Sequence, residues 1–203
     1  MNPAVIERFI KLMVIAILVS GAFYLGYGYF TSGAPGDYYV RKGDIRLGDG
    51  LYDEALENFN RALEEMPNHR GALMGRALVY IQTKRYDKAI AELDYLIDYL
   101  NRTLEPDDPT GRGALAAAYA NRGIVHDYLG QYEAALADYV ASLNTDPETV
   151  SGPDIFHKIL YGSDDLSTVR QRARYLYEQL QLPEEERLLR VPELDAKQRM
   201  YKP

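Results

Sequence analysis

Tyr52-Asp53-Glu54-Ala55 returns as Tyr86-Asp87-Lys88-Ala89 and again as Tyr132-Glu133-Ala134-Ala135, the first two copies 34 residues apart. Self-similarity at that period predicts a stack of helix-turn-helix units, an all-α solenoid. Other landmarks keep the same frame. Gly43, Ala77 and Gly123 fall in the first helix of each unit, Phe59, Leu93 and Tyr139 in the second, and Pro67 and Pro147 close the first and third units. Asn101 stands where a second closing proline belongs, and a 12-residue insertion then moves the third unit to a spacing of 46. The steric logic is simple: where two helices cross closely only Gly or Ala lets the backbones approach, and an aromatic ring fills the wedge beside the turn.

On these residues, from about 36 to 150, the chain resembles the tetratricopeptide repeat family. The resemblance implies antiparallel helix pairs in a curved stack that binds partners and performs no chemistry. Arg46 departs from the pattern, taking the place of Tyr80 and His126, and Lys84 replaces the turn glycine seen at Gly50 and Gly130. The resemblance also implies that Val40, Asp44 and Leu47, then Met74, Leu78 and Ile81, then Ala120, Ile124 and Asp127 line a concave groove. That set is mostly apolar, which suits the nonpolar face of an amphipathic helix. Relatives that hold a chaperone's terminal carboxylate carry Lys, Arg and Asn in such a groove. Val40, Asp44 and Met74 occupy those places here, which disfavours that mode. The occupant is either a partner's helix or the chain's own C-terminal helix.

The repeats are acidic. Residues 35–150 hold 20 acidic and 12 basic side chains, a net of −8, whereas 151–203 hold 9 of each. A surface of that sign repels a phosphate backbone, so nucleic acid is not an expected partner. The chain has no cysteine, which removes disulfides and thiolate metal sites.

Leu12 to Phe30 is a run of nineteen residues without a charge. As a helix it spans about 28 Å, the thickness of a bilayer's hydrocarbon core. Residues 1–30 therefore read as an N-terminal arm and a single transmembrane helix, with Arg8 and Lys11 flanking one end and Tyr24, Tyr27, Tyr29 and Phe30 crowding the other. A cleaved signal peptide ending at Ser20-Gly21-Ala22 competes with that reading. The flanking basic residues place the N-terminus in the cytoplasm and the repeats in the periplasm, as in a single-pass protein of a bacterial inner membrane. Residues 31–36 form a short linker rich in Gly and Pro, followed by the three-repeat solenoid at 37–150 with its insertion at 102–113.

The insertion predicts a loop between two lengthened helices, projecting past its neighbours. Beyond Pro147 the repeat fades and residues 151–182 read as capping helices. A short one covers Pro153 to Tyr161 and buries Phe156, Ile159 and Leu160. A longer one of about eighteen residues starts at Ser163-Asp164-Asp165, its apolar face formed by Leu166, Val169, Ala173, Leu176 and Leu180. Residues 183–203 read as a short helix beginning at Pro183 and then a tail.

No catalytic residues, metal ligands or cofactor site emerge from the sequence. His69, His126 and His157 lie in unrelated places, and the paired carboxylates Asp107-Asp108 and Asp164-Asp165 read as loop and helix-start residues. The expected function is a membrane-anchored scaffold for other proteins, with no small-molecule substrate. It would be an accessory subunit or assembly factor of a membrane complex, touching that complex's transmembrane helices. The alternative is a membrane-tethered adaptor or co-chaperone that recruits client proteins or peptides transiently.

Overall fold

The computed structural model describes residues 3–31, 33–148, 150, 168–191 and 200–201, and in the first helix the side chains of residues 6–24. The described residues form eight α-helices and no strand: α1 (Pro3–Thr31), α2 (Asp37–Gly48), α3 (Tyr52–Glu65), α4 (Arg70–Gln82), α5 (Tyr86–Thr103), α6 (Pro109–Tyr128), α7 (Tyr132–Thr145) and α8 (Val169–Leu180). From α2 to α7 each helix packs on its sequence neighbours, and α8 packs on α7. The result is an all-α, tetratricopeptide-like solenoid of three helix pairs.

The three turns inside the pairs are built alike. The N–H of Leu51 donates to the carbonyl of Arg46, that of Arg85 to Tyr80 and that of Gln131 to His126, each at 2.8 Å. Closing a helix in this way puts one residue in the left-handed region. Gly50 at φ 73° and Gly130 at φ 74° occupy it freely, and Lys84 occupies it at φ 56°. The repeat frame carries through to packing. Ala55, Ala89 and Ala135 are fully buried at the crossings, as are Phe59, Leu93 and Tyr139. Burying each of these three large side chains contributes about 1.5–3 kcal/mol. A methyl added to Gly43 would lie 2.6 Å from the Phe59 ring, and one added to Gly123 would lie 2.8 Å from the Tyr139 ring.

The insertion is absorbed mostly into helix. α5 has 18 residues and α6 has 20, against 12 to 14 in the other four repeat helices. The expected loop over 102–113 shrinks to Leu104–Asp108, because Asp108 caps α6 by accepting from the Gly111 N–H and Pro109 sits in its first turn. Glycines at 111 and 113, read from the sequence as breakers, are buried helical residues.

At the far end α8 also starts later than expected. Thr168 is its N-cap, in a reciprocal capping box with Gln171, so the helix has 12 residues and does not begin at Ser163-Asp164-Asp165. Val169, Ala173 and Leu176 are buried, as expected of its apolar face, while Leu180 is only partly covered. The expected short helix of 153–161, with Phe156, Ile159 and Leu160, lies outside the described residues, as do Leu166, His157 and the segment 192–199. The helix expected from Pro183 is a single 3-10 turn, Glu184–Glu186, with Pro183 itself extended at ψ 146°.

α1 runs unbroken through the uncharged stretch. Its apolar side chains are exposed on all sides, among them Phe9, Leu12, Ile17, Leu18, Val19 and Phe23. Among the described residues no helix is long and apolar enough to cross a membrane. Residues 6–24 include Glu7, Arg8 and Lys11, and the side chains of Tyr27, Tyr29 and Phe30, from the expected aromatic belt, lie outside the described ones.

Candidate partner-binding groove

Helices α2, α4 and α6 carry the nine residues expected to face inward, in three equivalent rows. Val40, Met74 and Ala120 form one, Asp44, Leu78 and Ile124 the next, and Leu47, Ile81 and Asp127 the last. A stripe of large apolar side chains on one face of a helix must be covered. In this chain it is. Met74, Leu78, Ile81, Ala120 and Ile124 are each 5% exposed or less, Val40 is 8% exposed, and only Asp44 and Leu47 are half-buried. The set is therefore covered in the second and third repeats and partly open in the first, at Asp44 and Leu47.

Part of the cover comes from the C-terminal quarter. Met200 and Tyr201 pack into the same apolar cluster as Met74, Leu78, Ile81 and Ile124, together with Leu189, Val169, Ala173 and Leu176. Asn121, fully buried on α6, holds the main chain of Tyr201 from both sides. Its Nδ2 donates to the Tyr201 carbonyl at 2.6 Å and its Oδ1 accepts from the Tyr201 N–H at 2.8 Å. The same Nδ2 lies 3.3 Å from the Met74 sulfur. The Tyr201 hydroxyl accepts from the N–H of Val169, at the start of α8, at 3.2 Å.

Asp127, the acidic member of the inward set, is 5% exposed and meets Arg172 of α8. Arg172 donates to it twice, through Nε and Nη2, each at 2.7 Å. The same Nη2 also donates to the Leu189 carbonyl at 3.0 Å. A carboxylate buried this deeply stays only with such a partner. The Tyr139 hydroxyl donates to the same carboxylate at 3.2 Å. Burial, with Asp127 beside it, pushes the Tyr139 phenol well above its usual value.

A second concavity of about 760 Å³ opens between the start of α4, the end of α5 and the start of α6, with Tyr99 and Leu104 in its wall. Two polar pairs line it. Arg70 donates to Asp108 at 2.6 Å, and the Nε2 of His69 lies 2.9 Å from Asp37. Asp108 comes from the insertion, so the extra residues after the second repeat build this cavity's rim. Among the described residues no group of His, Cys, Asp or Glu could hold a metal ion.

Neither Asn121 nor Arg172 stands out in the sequence, and Tyr201 stands out only as one of the isolated apolar residues of the tail, with Leu194 and Met200. A signal for Asn121 was present: it stands 46 residues after Gly75, an amide in a place where the preceding repeat has no side chain at all. Tyr201 offered none, since an aromatic residue among mixed charges and prolines carries no period.

Comparison with known proteins agrees with this architecture. Residues 46–103 match one family model described as Tetratricopeptide repeat, and residues 116–149 match another of the same description. Human Tetratricopeptide repeat protein 13 is 31% identical over 105 residues, covering 51% of this chain. Human Tetratricopeptide repeat protein 28 is 31% identical over 111 residues, covering 55%. The chain spans only 11% and 4% of the lengths of these two relatives. Among solved structures, the first TPR of Spaghetti (RPAP3) bound to HSP90 peptide SRMEEVD superposes with a TM-score of 0.52 at 20% identity, covering 73% of this chain and 94% of that one. That likeness is one of fold. Residues 46–103 and 116–149 of this chain carry tetratricopeptide repeats.

Proposed function

We propose that the chain is a membrane-anchored scaffold for other proteins, an accessory subunit or assembly factor of a larger membrane complex. α1 is the observation that carries this reading. Phe9, Leu12, Ile17, Leu18, Val19 and Phe23 are between 62% and 75% exposed, and α1 has no substantial packing against any other described helix. Side chains of that kind gain about 1.5–3 kcal/mol each when removed from water, so a helix bearing them all round calls for an apolar environment. The uncharged run from Leu12 to Phe30 has the length for a bilayer, and the short linker that follows keeps the repeats beside it. Arg8 and Lys11 favour an N-terminus in the cytoplasm, which puts the repeats in the periplasm of a bacterial inner-membrane protein. The acidic repeats, the groove of Val40, Asp44, Leu47, Met74, Leu78, Ile81, Ala120, Ile124 and Asp127, and α1 itself are the surfaces offered to protein partners.

A second reading, a membrane-tethered adaptor that recruits clients transiently, draws on the likeness of fold to a repeat domain solved with a bound peptide. Gentle detergent extraction followed by affinity purification separates the two. An accessory subunit brings down the same proteins in fixed ratio through size exclusion, whereas an adaptor comes through alone. Release of the chain by carbonate, or a mature N-terminus at Phe23, would overturn the anchored reading altogether.

A further inference from the structure

Met200 and Tyr201 sit in the concave surface as a ligand would. The Asn121 amide pairs with the N–H and the carbonyl of Tyr201 at 2.8 and 2.6 Å, a pairing with main chain that takes no account of side-chain identity. Selectivity comes from the surroundings. Tyr201 is 5% exposed among apolar neighbours, its hydroxyl takes the Val169 N–H, and Met200 packs beside it. The approach to this place is also held by main-chain contacts. Arg172 donates to the Leu189 carbonyl at 3.0 Å, the Gln179 side chain accepts from the Leu188 N–H at 2.7 Å, and Arg190 donates to the Tyr128 carbonyl at 2.9 Å.

We propose that the concave surface of the second and third repeats is a peptide site held shut in cis by Met200 and Tyr201, and that a partner enters it by displacing them. The partner's matching element is an aromatic residue that follows an apolar one. This rests on the scaffold reading above and adds a gate to it. A tethered occupant acts at an effective concentration in the millimolar range, so an untethered copy of the same sequence competes poorly until the tether's own residues are removed.

The test uses the full chain in detergent and a fluorescent peptide with the sequence of residues 192–203. The double variant Met200→Gly, Tyr201→Gly should bind this peptide at least tenfold more tightly than the wild-type chain. Adding Asn121→Ala to that variant should abolish the gain, with helicity by circular dichroism unchanged. Equal binding by wild type and double variant, or binding indifferent to Asn121→Ala, overturns the proposal. If the double variant loses helicity, the wild type still decides. Saturating peptide should then accelerate deuterium uptake at the Tyr201 amide, and unchanged uptake overturns the gate. The assay needs neither membrane nor complex, so its failure is distinct from failure of the scaffold reading, which copurification reports.

Discussion

Arg122 of α6 grips Asp138 of α7 with two hydrogen bonds, Nε to Oδ2 at 2.9 Å and Nη2 to Oδ1 at 2.6 Å, while its Nη1 reaches back to Asp94 of the preceding repeat at 2.6 Å. One repeat earlier Arg76 does the same, with Glu92 at 2.7 and 2.6 Å and Asn60 at 2.9 Å. Each arginine thus ties its own helix pair together and ties that pair to the one before. The Asp138 carboxylate bonded to it, with Asp94, holds the Arg122 guanidinium above even its ordinary high value. In the first repeat the equivalent places hold Lys42 and Asn58, and the tie is absent from the sequence.

Arg122→Ala should therefore cost about 2–4 kcal/mol, since it leaves the buried Asp138 carboxylate without its bidentate partner. Lys42→Ala, at the same place in the first repeat, should cost under about 0.5 kcal/mol. Urea unfolding of the two variants checks this, and similar midpoints would show that the arginine tie carries no stability.

Gly75→Ala should destabilise through one ring. Its new methyl would lie 2.3 Å from the Phe59 Cζ, and that ring is fully buried and already packed closely against Gly43. Overpacking of this kind costs about 1–3 kcal/mol. Phe59→Leu, which copies Leu93 of the second repeat, opens the space, so the double variant should be more stable than the sum of the two single changes predicts by about 1 kcal/mol. Additivity in a double-mutant cycle would clear Phe59 of the clash.

How much of this could be read beforehand follows from which features repeat. Tyr52, Tyr86 and Tyr132 with Ala55, Ala89 and Ala135 carry a period, and the period delivers the solenoid and its turns. Asn121 meets Tyr201 across 80 residues of sequence and Arg172 meets Asp127 across 45, and neither Arg172 nor Tyr201 belongs to the repeat, so nothing local announces these pairings. The burial of Met74, Leu78, Ile81 and Ile124 follows the repeat, whereas the pairing of Asn121 with Tyr201 does not. The start of α8 differs from the expected one for a related reason: Ser163, Asp164 and Asp165 all favour a helix start, as does Thr168, and only Thr168 has Gln171 three places on to complete the box.

Lys84→Gly should stabilise the second repeat by a few tenths to about 1 kcal/mol. A left-handed residue with a Cβ costs about 1–2 kcal/mol, and glycine's greater freedom in the unfolded chain offsets part of the gain. Lys84→Ala keeps the penalty and should be nearly silent. Thermal unfolding of the two variants beside the wild type reads the difference, and a Lys84→Gly variant less stable than wild type would mean that the lysine makes a contact worth more than the strain at φ 56°.

Asp108 supplies a dependence on acid. Its Oδ1 accepts from the Gly111 N–H at 2.7 Å and its Oδ2 from Arg70 at 2.6 Å. The Gly111 N–H first, and then Arg70, hold its carboxyl below the ordinary carboxylate value. A carboxyl whose value is lower folded than unfolded adds stability above the unfolded value, near 3.9, and that stability fades as pH falls through the folded value. Asn is also a good N-cap, so Asp108→Asn keeps the start of α6 and removes only the titrating charge and its pairing with Arg70. The melting temperatures of wild type and Asp108→Asn should therefore differ most near neutral pH and converge as pH drops below about 4. Added salt should narrow the gap at neutral pH by screening the partly exposed Arg70 pair. A gap that stays constant from neutral to strongly acidic pH would show that Asp108 acts as a cap alone, with its charge irrelevant to the fold.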